Sequence, residues 1–128
     1  MRQLIFIVAM MFFTMPALAD SRYDKCMDQS DGSNVAWGQC GGDWLKRADA
    51  SLNQVWKKVY GSSEGQTKSD LLAEQRLWNS YKESSCSFYA NGDWGREGQV
   101  LHFATCRAGI IESRTKQLRE YGEFISGQ

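Results

Sequence analysis

The amino-acid sequence predicts an all-α fold, a small antiparallel bundle of three helices stapled by two disulfides. Three observations carry that reading. Apolar residues recur at three- and four-residue steps through three long segments. The only proline is Pro16, so nothing in residues 20–128 removes a helical backbone donor. No stretch shows the strict alternation of a strand, while four cysteines, Cys26, Cys40, Cys86 and Cys106, stand ready to pair.

The N-terminus reads as an export signal. Arg2 supplies the positive start, Leu4 to Phe13 is an unbroken apolar run, and Pro16 ends it. Ala17-Leu18-Ala19 is a small-x-small site that predicts cleavage after Ala19. The run is too short for a membrane span, which needs roughly 20 residues. No cysteine follows the cleavage site to carry a lipid. Residues 1–19 are therefore expected to be a signal peptide and residues 20–128 one domain, periplasmic or secreted from a bacterium, with no membrane anchor after cleavage. An oxidising compartment makes disulfides the expected state of the cysteines.

Turn residues cluster at Ser30–Ser33, Gly61–Gly65 and Asn91–Gly98 and divide the domain. The first long segment, about 34–60, carries Trp37, Cys40, Trp44, Ala48, Leu52, Val55, Trp56 and Val59 on one helical stripe. Ser33 or Asn34 can cap its start and Gly61 can end it. Gly41-Gly42 is a weak point, or a place where another backbone comes close. The second, about 67–85, has Leu71, Leu72, Gln75, Leu77, Trp78 and Tyr81 at helical spacing, with Thr67 or Ser69 as the cap. The third, about 97–121, has Val100, Phe103, Ala104, Ile110, Ile111, Leu118 and Tyr121, with Arg107 and Arg114 beside the stripe. Their stems can lie on apolar surface while their heads reach acids at the edge. The residues around Cys26 read as a short irregular segment.

Four cysteines allow three pairings. Spacing favours Cys26–Cys40 and Cys86–Cys106, each closing a loop of roughly 15–20 residues worth about 3 kcal/mol; a crossed pairing stays open.

Charge excludes more than it assigns. The chain is formally neutral, and removing residues 1–19 takes away only Arg2. That balance gives no basis for nucleic acid as a partner. Asp20, Asp24, Asp28, Asp31 and Asp43 make the N-terminal stretch mildly acidic, either a solvated segment or a face for a basic partner. His102 is the only histidine, and oxidised cysteines leave no ligand set for zinc, so neither a metal nor a cofactor is expected. No nucleophile elbow, phosphate loop or dinucleotide motif occurs. No pair of carboxylates is singled out for glycoside hydrolysis. The chain does not read as an enzyme.

Trp37, Trp44, Trp56 and Trp78 fall on the helical stripes as core residues. Trp94 differs. It lies in the loop SFYANGDWGREG, where aromatic and polar residues interleave as on a binding surface. Tyr89, Asn91, Asp93, Trp94 and Arg96 are the expected partner contacts. Alternatively the aromatics fold back over the disulfide.

Cys26 and Cys40, ADASLNQVW at 48–56, LLAEQRLWNSYKESSC at 71–86, then Cys106 and Arg114 together resemble the LprI-like lysozyme-inhibitor family. The resemblance spans the whole of residues 20–128. Asp49, Leu52, Asn53, Gln75, Arg76, Trp78, Cys86, Cys106 and Arg114 match its pattern, while Trp56 stands where the family usually has tyrosine. The resemblance implies a small, helical, exported bacterial protein and a protein partner, a lysozyme. The matched polar residues Asp49, Asn53, Gln75 and Arg76 are read as a structural network, with an Asp49–Arg76 ion pair between the first two helices. The function this supports is an exported binding protein that inhibits lysozyme-type peptidoglycan hydrolases. The alternatives are an envelope interaction or immunity-like protein with another partner, and a small cell-wall hydrolase.

Overall fold

The computed structural model describes residues 20–128, so the export-signal reading of residues 1–19 lies outside the described residues. The order is α1 (Ser21–Asp28), α2 (Asn34–Gly61), α3 (Gly65–Ser84), α4 (Ser87–Ala90), α5 (Gly95–Glu97), a π-helical turn (Gly98–His102) and α6 (Phe103–Ser126). Among the described residues there is no strand. Three long helices form the bundle the periodicity predicts, and both disulfides take the local pairing, Cys26–Cys40 and Cys86–Cys106.

The segment around Cys26 is helical rather than irregular. Asp20 makes the difference: its carboxylate accepts from the Arg22 and Tyr23 N–H groups at 2.9 and 3.2 Å and caps α1. The same carboxylate receives Arg47 of α2 at 3.0 Å. Tyr23 lies 4.7 Å from Trp44, centroid to centroid, so α1 is fastened to α2 by an ion pair, an aromatic contact and a disulfide. The acids of this stretch are therefore partly spent on structure, since Asp31 also accepts from the Ser33 N–H.

Ser33 caps α2 through the Ala36 N–H. The buried face of α2 includes Cys40, Trp44, Ala48, Leu52 and Val59, the predicted stripe. Trp44 keeps its indole N–H satisfied by donating to Glu112 at 2.7 Å. The helix runs through Gly41-Gly42 without a break. Gly41 is buried against α6, where a Cβ would stand 2.7 Å from the Ala104 Cβ. Gly42 faces open space. Along α6, Ala104, Ala108, Ile111, Thr115 and Leu118 are buried and complete the α2–α6 interface, the main one in the fold.

α3 starts at Gly65 behind Glu64, with no side-chain cap from Thr67 or Ser69. It buries only Leu71 and Gln75, with Trp78 packed at the edge of the core. Leu77 and Tyr81, expected on the core stripe, are 74% and 58% exposed. At about 100° per residue they sit a quarter turn or more from the line through 71, 75 and 78. The apolar arc of α3 is wider than the surface offered to it.

Gly41→Ala should destabilise the domain by about 1–3 kcal/mol in urea unfolding, because overpacking outweighs the gain in helix propensity. Gly42→Ala should stabilise it by up to about 1 kcal/mol. Equal effects at the two sites would refute the close approach.

Burial pushes the Asp20 carboxyl up, but the bonds from Arg47, Tyr23 and Arg22 outweigh it and hold the group below its ordinary value of 3.8. A depressed carboxylate stabilises the fold above its unfolded value, and that contribution is lost as pH falls through the folded one. Asp20→Asn should therefore lower stability near neutral pH, with the gap to wild type closing below about pH 4. A gap that persists unchanged in acid-unfolding curves would remove the ion pair from the account.

Candidate functional site

Between α3 and α6 the chain forms a compact knob, residues 86–102. Its base is set by Cys86, which takes the left-handed conformation at φ 70° immediately after Ser85 and reverses the chain out of α3. Arg107 donates to the carbonyls of Glu83 and Ser85 at 3.2 and 3.0 Å, filling acceptors that the end of α3 leaves open. This Arg therefore binds carbonyls and not the acids its position suggested. Its guanidinium also covers the Phe103 ring at 4.9 Å. The Cys86–Cys106 bridge lies across the same junction.

The tip is built from turn chemistry. Asn91 accepts from the Asp93 N–H at 2.9 Å, and Gly92 between them adopts a positive φ that glycine takes without strain. The chain then returns to pack on itself at Gly98, which is buried. A Cβ there would meet the Tyr89 carbonyl oxygen at 2.5 Å and the Trp94 Cβ at 2.6 Å. Only glycine seats the knob on the π-helical turn, and such turns often mark functional segments.

This packing fixes four rings. Phe88 and Trp94 are 61% and 53% exposed, with centroids 5.2 Å apart. Tyr89 meets Phe88 edge-on at 5.1 Å and lies 5.6 Å from the exposed His102. Phe88 and Trp94 therefore stay largely in solvent, while Tyr89 is half-buried.

The five expected contact residues thus separate by role. Trp94 is on the exposed face and Asp93 beside it is free of side-chain bonds among the described residues. Tyr89 is half-buried as a support, Asn91 is spent on the turn, and Arg96 donates to Gln99 at 3.0 Å. Phe88 was not expected as a contact. The left-handed step at Cys86 breaks the helical register of α3, so its direction cannot be read by counting along the stripe.

The polar residues of the helices rearrange the expected network. Asp49, Asn53, Gln75 and Arg76 line one cleft between α2 and α3, but no Asp49–Arg76 ion pair forms, and Arg76 is exposed. Gln75 pairs instead with Arg114 of α6, whose Nε donates to the Gln75 Oε1 at 2.9 Å. Arg114 is 3% exposed and also bonds Glu74 and Gln117. The Tyr121 hydroxyl donates to Glu74 at 3.2 Å, and burial followed by the Glu74 charge raises its pKa. A guanidinium this deep needs such a cage, because an unpaired buried charge is strongly destabilising.

Among the described residues no cluster of His, Cys, Asp and Glu could hold a metal ion, all four cysteines are in disulfides, and no helix is long and apolar enough to cross a membrane. A family model described as "Lysozyme inhibitor LprI" matches residues 26–118, from the first cysteine to the last core leucine of α6. The chain belongs to the LprI lysozyme inhibitor family. No curated protein and no solved structure matches it. The family is one of inhibitors and not of enzymes, and membership together with two disulfides points to an extracytoplasmic setting.

Gly98→Ala should unseat the knob without unfolding the bundle. Amide exchange in residues 87–97 should rise about tenfold or more while the buried turns of α2 and α6 stay protected. Unchanged exchange in the knob would show that Gly98 does not hold it.

Proposed function

We propose that this protein is an exported inhibitor that blocks a lysozyme-type peptidoglycan hydrolase with the knob at residues 86–102. The observation that carries the reading is the exposed Phe88–Trp94 pair on a disulfide-based, glycine-seated support. The family description favours a hydrolase of this kind as the partner.

Lysozyme-type enzymes hold a saccharide in an open cleft and cut it between two carboxyl groups. A blocker needs apolar surface to fill sugar subsites and polar groups to meet the cleft walls. Phe88 and Trp94 supply the first, as two adjacent rings of the kind that dominate binding energy. Asp93 and Arg96 flank them and supply the second; a guanidinium suits a carboxylate-bearing cleft. The knob is ordered before it binds, so little side-chain and loop entropy remains to be lost. Cleavage after Ala19 would release residues 20–128, as one domain, into the periplasm or the medium. There it would meet such a hydrolase with both clasps oxidised.

Phe88→Ala and Trp94→Ala should each raise the inhibition constant about 30-fold, the loss of a hot-spot residue. Circular dichroism and melting temperature should stay near wild type, since both side chains are exposed. The measurement is inhibition of a panel of lysozyme types by the oxidised domain. Failure of the wild type against the whole panel, or wild-type inhibition by both variants, would end this reading. Recovery of a different envelope protein by pull-down would redirect it to that partner.

A further inference from the structure

We infer that the cleft between α2 and α3 is a binding site for a small acidic saccharide, separate from the knob. The cleft is about 430 Å³, within the size range of small-molecule sites. Its floor is Gln75, 7% exposed. The Gln75 Oε1 is held by the Arg114 Nε–H, which can only donate, so the amide orientation is set. Its NH2 end is then left to the cleft. That end bonds nothing among the described residues, yet it is not sealed from solvent. A buried polar group with donors to spare and an open path to them is how a ligand site is built.

The walls repeat the pattern. Asp49 and Asn53 on α2, and Arg76 and Asn79 on α3, all line this cleft, and none makes a side-chain hydrogen bond or ion pair with another described residue. The helices run antiparallel through the short 62–64 turn. Asp49 therefore belongs to the end near Asn79, and Trp56 to the end near Leu72. One end offers a carboxylate, planar amides, a guanidinium and the Lys82 ammonium; the other offers an indole.

That set fits a sugar ring carrying an acid. The apolar C–H face of the ring packs against the indole of Trp56, whose other face is stacked on Tyr60 at 5.0 Å. Hydroxyl and acetamido groups, which donate and accept, match Asp49 and the amides of Asn53, Gln75 and Asn79. A carboxylate takes the unpaired Arg76 in a bidentate bond. The cleft is too polar for an acyl chain.

The test is an NMR titration of the oxidised domain with N-acetylmuramic acid, which joins ring, acetamido group and carboxylate. N-acetylglucosamine serves as the ring without the acid, and lactate as the acid without the ring. Saturable shifts should centre on Asn53, Arg76 and Asn79. Affinity should fall about tenfold for either partial ligand and about tenfold for Arg76→Ala. Asn53→Ala should weaken both sugars equally. Arg76 and Asn53 are exposed, so both variants should keep the wild-type melting temperature. Absence of saturable shifts with N-acetylmuramic acid, shifts centred outside the cleft, lactate binding as tightly as the sugar, or an Arg76→Ala variant that binds as wild type would each overturn the assignment. The site shares no residue with the knob, so either reading can fail while the other stands.

Discussion

The architecture depends on one close approach, that of α2 to α6 at Gly41 and Ala104. A glycine facing Ala104 and the Val100 carbonyl lets the helix backbones come together where larger residues would hold them apart. Both disulfides attach next to this contact. Cys40 immediately precedes Gly41, and Cys106 follows Ala104 by two residues. One clasp draws α1 down onto the junction, and the other draws the end of α3 to it. The π-helical turn begins one helical turn earlier, with the Val100 carbonyl 3.5 Å from the place a Gly41 Cβ would occupy. Placement of the knob thus follows from a packing contact that the knob residues do not themselves make.

α3 is held by different means. Its core contribution is Leu71 and part of Trp78, and its other attachments are the polar cage around Arg114 and, at its C-terminal end, the Arg107 bonds and the Cys86–Cys106 bridge. Ion pairs of this depth add little net stability over an apolar contact, but they are costly to break and specify a partner geometry. Gln75, Glu74, Gln117 and Tyr121 therefore set the rotation of α3 about its axis more firmly than its hydrophobic arc does. That rotation leaves Leu77 and Tyr81 in solvent and turns Asn79 and Arg76 toward α2.

The parts of the fold legible in the sequence are those encoded within a few residues. The stripes of α2 and α6 are regular enough to locate both helices, and short cysteine spacings favour the pairing observed. α1 escaped because it is short, polar and without a buried residue; its helicity rests on the Asp20 cap and on contacts with Trp44 and Arg47 far along the chain. The Arg114 cage escaped for the same reason, since its partners lie about 40 residues away. At the knob, composition singled out the loop that carries exposed Trp94, but Phe88 was passed over. Its exposure depends on a left-handed residue that no periodicity announces.

The knob also resolves a tension in its own composition. Gly92, Gly95 and Gly98 within seven residues would leave an isolated loop highly mobile, and fixing each residue on binding would cost about 1–2 kcal/mol. Such a loop could present aromatic rings only weakly. Here the glycines do the opposite work. Two of them supply positive-φ turns, and Gly98 lets the tip press onto Trp94 and the Tyr89 carbonyl. With the disulfide and Arg107 closing the base, most of the ordering cost is met when the domain folds. Two large apolar side chains can then stay in water at fixed positions, as a surface prepared for a partner must.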